Sequence, residues 1–207
     1  MRAISIPFLL TAGCVGLLGQ YTAERTGPPP AEAASGITGE MQTTGFRILS
    51  HGSPYCEIWF RATQPAGNGA NESATTLGSI PAGTLLGMIR FDSAATDRRG
   101  QRIAPGLYTL RYAIMPRNES HEGVSRQRDF AVLVPAADDK SPSSRPTADA
   151  LVKMSGKATG TGHPAVLSIR KAAADSPGFE EEGQDWVLQT ELGNTPIQIV
   201  LASSLEP

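Results

Sequence analysis

The stretch from Gly83 to Pro135 constrains the fold most, because its apolar residues recur at strand spacing and never at helical spacing. Tyr108, Leu110, Tyr112 and Ile114 alternate with Leu107, Thr109, Arg111 and Ala113. Aromatic and branched residues in every second place are the pattern of a half-buried strand. A short apolar run over 84–91 precedes this strand and ends at Asp92. Asp129-Phe130-Ala131-Val132-Leu133-Val134-Pro135 follows it, apolar on both faces, as in a central strand covered on both sides. Polar connections over 93–102 and 116–128 separate the three runs. Within Ala104-Pro105-Gly106-Leu107, proline sets the φ of the second turn position and glycine accepts the positive φ of the third. These residues predict a type II turn inside a three-stranded meander.

The same alternation continues on both flanks. Residues 45–49 predict a first strand, 51–54 the turn after it, 55–61 a second strand and 165–170 another. Gly193-Asn194 sits between two alternating runs, 186–192 and 197–201, which is a hairpin signal. Trp186, Leu188 and Leu192 are expected to face the core with Ile197, Ile199 and Leu201. Helical spacing occurs near 147–157, where Thr147 can cap and Asp149 sits in the first turn. There Leu151, Met154 and Lys157 share one side, and Gly156 or Gly160 ends the helix. Residues 136–145 read as an exposed linker, and 172–183, with Glu180-Glu181-Glu182, as a solvated loop. The fold class predicted is all-β: an antiparallel β-sandwich of about seven to nine strands, with one short helix near 147–157, forming a single domain over 41–203.

The N-terminus has a different character. Met1-Arg2 is followed by an uncharged apolar segment from Ile4 to Gly19, the pattern of a secretory signal peptide. Gly13, Gly16 and Gly19 would weaken a buried helix, and the run is shorter than the roughly 20 apolar residues of a membrane span. Residues 1–23 are accordingly read as a leader, and 24–40, with Pro28-Pro29-Pro30, as a linker. The cut falls at Leu17-Leu18-Gly19 or at Ala31-Glu32-Ala33. Thr11-Ala12-Gly13-Cys14 resembles a bacterial lipobox, which implies a lipid on Cys14, although Thr11 stands where Leu, Val or Ile is the rule. The expected location is periplasmic or extracellular, with membrane contact only through the leader or a lipid on Cys14.

A second resemblance lies in the meander. Asp97-x-x-Gly100-x-x-Ile103-x-Pro105-Gly106-x-Tyr108-x-Leu110 resembles a hairpin of bacterial extracellular immunoglobulin-like and transthyretin-like sandwiches. The resemblance implies a β-sandwich acting as a spacer, adhesion or binding module, and carries no catalytic residue across.

Charged residues make up 18% of the chain and the net charge is -2, so no basic excess exists to hold a phosphate backbone and nucleic acid is not an expected partner. No Gly-x-Ser-x-Gly and no phosphate-binding loop occurs, and no cofactor is expected. Cys56 is the sole cysteine after Cys14 and, on the apolar side of its strand, reads as a small hydrophobe. Two surface constellations remain. Tyr55, Glu57, Trp59 and Arg61 share one strand face, and two aromatics with an acid and a base suit a sugar or peptide platform. The plainer alternative is a face with a cross-strand ion pair and aromatics covered by a loop. His121, Glu122, Asp129 and His163 form a candidate zinc or copper set, although no pair has regular ligand spacing. The function expected is therefore a non-catalytic binding or structural module of the cell envelope, with a protein, peptide or glycan as partner. A metal-dependent site or enzyme at His121 and His163 is the alternative.

Overall fold

Period-two runs pair only when a neighbouring strand satisfies their backbone groups, and here they do so in long antiparallel succession. The computed structural model describes residues 21–65, 67–69, 72–97, 99–116, 127–173 and 177–203. In chain order the elements are β1 (Tyr21–Thr26), α1 (Ser35–Thr38), β2 (Gly45–Ser50), β3 (Ser53–Phe60), β4 (Leu85–Phe91), β5 (Ala95–Thr96) and β6 (Arg102–Ile103). They continue with β7 (Gly106–Ile114), β8 (Asp129–Pro135), α2 (Ala148–Thr159), β9 (Val166–Lys171), β10 (Gly178–Glu182), β11 (Asp185–Leu192) and β12 (Thr195–Ser203). The predicted meander is present, since β4, β7 and β8 are neighbours.

The sandwich expectation needs correction. Ten strands form one sheet in the order β1-β2-β3-β4-β7-β8-β9-β12-β11-β10, while β5 and β6 make a separate ribbon. The reason is β9, which serves both halves. Its residues Val166, Leu167 and Ser168 pair with β8, whereas Ile169, Arg170 and Lys171 pair with β12. A strand divided in this way turns two prospective layers into one sheet rolled on itself, close to a barrel. A single apolar cluster then runs from Phe46 and Ile48 through Leu110 and Leu133 to Ile199 and Leu201. Polar contacts tie the facing halves, with Tyr55 Oη donating to the Leu201 carbonyl at 3.3 Å.

Among the described residues the terminal strands β1 and β10 each pair on one side only. Aromatic side chains bridge the interval between them. Phe179, Trp186, Tyr21, Tyr55, Phe91 and Tyr108 form a continuous chain with centroid separations of 5.5, 5.5, 5.4, 5.8 and 6.4 Å. These fall within the range of favourable edge and offset contacts. Strand β10 lies where a solvated loop was predicted, because Phe179 docks on the core while the glutamates around it give no apolar alternation.

Two stretches read as linkers are bound to the sheet. In 24–40, the second half of β1 pairs with β2, and Ala33 and Ile37 bury, together with Met41, against Trp59, Leu85 and Met88. In 136–145, Asp139 is 3% exposed and receives Arg111 Nε at 2.7 Å and Nη2 at 2.6 Å. Arg111 also donates to the carbonyls of Gly83, Ser141 and Ser144, so this fully buried guanidinium fastens the whole segment to β7.

The turn before β7 is also different. Gly106 has φ +155°, not the type II value, and already belongs to the strand. Tyr108 folds its ring back so that Oη donates to the Ala104 carbonyl at 2.7 Å, and a Cβ on Gly106 would lie 3.3 Å from that oxygen. The Gly193-Asn194 hairpin appears as predicted, with Leu192 opposite Thr195.

Candidate functional site

Helix α2 begins as its sequence dictates. Thr147 accepts a hydrogen bond from the Ala150 amide at 3.3 Å, and Gly160 closes the helix in the left-handed region. Its buried residues are Leu151, Ser155 and Ala158, so the inward stripe passes beside Lys157 and not through it. Ser155 Oγ accepts from the Ala165 amide at 2.9 Å, which anchors the helix to the start of β9. Leu151 packs on Val132 and Val134, the outward residues of β8. The doubly apolar β8 is thereby covered on both faces, as its composition requires.

The cover is incomplete, and a groove of about 480 Å³ remains between α2 and the outer face of β7, β8 and β9. Ala113, Phe130, Val132 and Val166 form its floor, and Leu151 and Val152 its wall. Val152, 39% exposed, is the one large hydrophobic residue exposed among those described. Arg99 and His163 also line the groove. Arg99 is oriented by Asp97, with Nη2 to Oδ2 at 2.7 Å and Nε to Oδ2 at 3.2 Å, and by the Pro164 carbonyl at 2.8 Å. Arg99 Nη1 and the His163 ring nitrogens have no hydrogen-bond partner among the described residues.

The residues singled out from sequence fall elsewhere, apart from His163. Tyr55, Glu57, Trp59 and Arg61 do not form an exposed platform. The β2–β3 register pairs Ile48 with Cys56 and Leu49 with Pro54, so Tyr55 is the extra residue of a bulge. A bulge re-aims a side chain, and Tyr55 packs on the main core. Trp59 is 2% exposed and donates its Nε1–H to the Gly27 carbonyl at 2.8 Å beneath the segment after β1. Glu57, 6% exposed, belongs to a cross-strand charge row. Glu24, Arg47, Glu57 and Arg90 stand directly opposite one another on β1 to β4, with ion pairs of 3.3, 2.8 and 2.6 Å. Arg61 pairs with Glu40 at 2.8 Å. The plainer reading, an ion-paired face with a covered aromatic, describes this strand.

Of the metal candidates, His121 and Glu122 lie outside the described residues, as does Cys14. Asp129 is fully buried and committed to the fold. It accepts from Tyr112 Oη at 2.5 Å, Thr76 N at 2.6 Å, Thr76 Oγ1 at 3.0 Å and Leu77 N at 3.4 Å. Among the described residues no three His, Cys, Asp or Glu side chains cluster as metal ligands. Burial, reinforced by the Glu57 charge, pushes the Cys56 thiol far up. Burial and then the bond to Asp129 push up the Tyr112 hydroxyl. Both groups stay protonated and inert.

No family model, no curated protein and no solved structure matches this chain. The groove was missed from sequence because Phe130 and Val132 read there as part of a strand covered on both sides, Leu151 as one side of a helix and Val166 as part of a further strand. The available signal was the pairing of a strand apolar on both faces with a helix of only 12 residues to cover it.

Proposed function

We propose that this chain is an exported, non-catalytic binding module whose ligand site is the groove between α2 and the outer face of β7, β8 and β9. The observation that carries this reading is the groove itself, about 480 Å³ outside the core and walled by apolar side chains. Small-molecule sites have volumes of about 300–1,000 Å³, apolar walls and few polar groups. Of the partners expected from sequence, a glycan fits least, because Trp59 is buried and Tyr55 packs inward. A small apolar molecule fits the groove best. The likeness of residues 97–110 to extracellular immunoglobulin-like hairpins agrees with a binding role and stays part of this proposal.

The test is titration with phenylnaphthylamine, a neutral probe that fluoresces in apolar surroundings. Wild type should give a saturable rise at one site per chain. Val152→Glu should weaken it at least about tenfold, since a charge in an apolar groove is poorly solvated, while the exposed position leaves the thermal midpoint unchanged. A wild type that gives no saturable signal rejects the reading.

Export is proposed with a cut at Leu17-Leu18-Gly19. Tyr21 belongs to the aromatic chain and Glu24 to the charge row, so a cut at Ala31-Glu32-Ala33 would remove β1. Mass spectrometry of the mature protein tests this: an N-terminus after Gly19 agrees, one after Ala33 refutes it, and a diacylglyceryl mass on Cys14 identifies a lipoprotein instead.

A further inference from the structure

We infer that the ligand of this groove is a single-chain amphiphile with a carboxylate head, a deduction that rests on the groove being the ligand site. Apolar residues supply floor and wall, while the charged and ring-nitrogen groups of the lining are Arg99 and His163. No Asp or Glu lines the groove among the described residues. Arg99 and His163 belong to one locality, since Arg99 Nη2 donates to the carbonyl of Pro164, the residue next to His163. A ligand matched to this lining has an apolar tail and one anionic end.

Asp97 does not fill the anionic role. Its carboxylate is buried and shared among Arg99 Nε and Nη2 and the backbone amides of Arg99 and Gln101. It therefore holds the guanidinium in place and leaves Nη1 free to donate. The ligand head adds to this arrangement without displacing Asp97. His163 is exposed, and among the described residues its hydrogen bonds run through its backbone, its amide donating to Thr161 Oγ1 at 3.1 Å and its carbonyl accepting from Thr159 Oγ1 at 2.9 Å. Its ring is free to turn toward the same head group. Ser168, the hydroxyl in the lining, is neutral and does not discriminate by charge.

Displacement of phenylnaphthylamine from the full chain by dodecanoate and by dodecanol tests the assignment, because the two differ only in the head. Dodecanoate should displace the probe at about tenfold lower concentration, as a charge-assisted hydrogen bond to a partly exposed arginine allows. Arg99→Gln, which keeps a donor for Asp97, should bring the two to within about twofold by weakening the acid alone. His163→Ala, which removes an exposed ring that makes no hydrogen bond among the described residues, should narrow the gap without moving the thermal midpoint. Equal displacement by acid and alcohol in wild type overturns the carboxylate assignment and leaves the groove reading standing. So does an acid preference that survives in both variants. Failure of the probe itself to bind removes the groove reading beneath it.

Discussion

Cys56 stands opposite Ile48 in the β2–β3 ladder, sealed in the main core. Burial first and the Glu57 charge second raise its pKa, and burial likewise raises that of Tyr55. The unfolded chain ionises a cysteine near pH 8.5 and a tyrosine near pH 10. Between those values and the raised native ones the unfolded state binds fewer protons, so stability falls as pH rises. Stability should be flat below about pH 8, decline above it at up to about 1.4 kcal/mol per pH unit for Cys56, and decline faster above about pH 10. Urea unfolding at a series of pH values reads this directly, and Cys56→Ala should abolish the first decline. The thiol should also react with Ellman's reagent only at the rate of unfolding. A second residue-scale expectation concerns Arg111. Arg111→Met leaves the Asp139 carboxylate buried without its cation and should lower stability by about 3–5 kcal/mol. Adding Asp139→Asn should recover part of the loss in a double-mutant cycle. Neither residue was legible as a lock in the sequence. Asp139 sits among prolines and serines, and only the return of the chain over β7 brings it within reach of Arg111.

At the scale of elements, the sequence read well wherever one face of a strand met the core and the other met water. β2, β4, β7, β9, β11 and β12 appear close to their predicted limits, and β8 at them. β1 and β10 were missed for a shared reason. Both are terminal strands, mostly exposed, so no apolar alternation marks them. Their placement comes from pairing on one side and from single aromatic anchors, Tyr21 and Phe179. Removal of residues 1–19 should therefore leave a stable fold, whereas removal of 1–26 should lower stability by about 2–4 kcal/mol through lost aromatic contacts and burial. It should also expose the edge of β2 to association. Thermal melts and size-exclusion chromatography of the two truncations separate these outcomes; equal stability would mean that β1 is dispensable.

At the scale of the whole molecule, ten of the twelve described strands form one antiparallel sheet, continuous through β9, around one main cluster. Trp59 and Trp186 lie in different parts of it, beneath the segment after β1 and in the aromatic bridge between the sheet ends. Trp59→Phe and Trp186→Phe leave one reporter each, and cooperative unfolding predicts that fluorescence and circular dichroism give the same urea midpoint within each variant. A reporter that leads or lags would show that the two halves open separately. The all-β class, most strand positions, the capped helix and the Gly193-Asn194 hairpin are legible in the residues alone. Each of these follows from spacing or turn chemistry within a few residues. That β9 joins both halves, that one extra residue turns Tyr55 inward, that Trp59 and Asp139 are covered and that α2 leaves a groove emerge when the folded chain packs. Those outcomes depend on which distant segment lies alongside, and spacing along the chain carries no record of that.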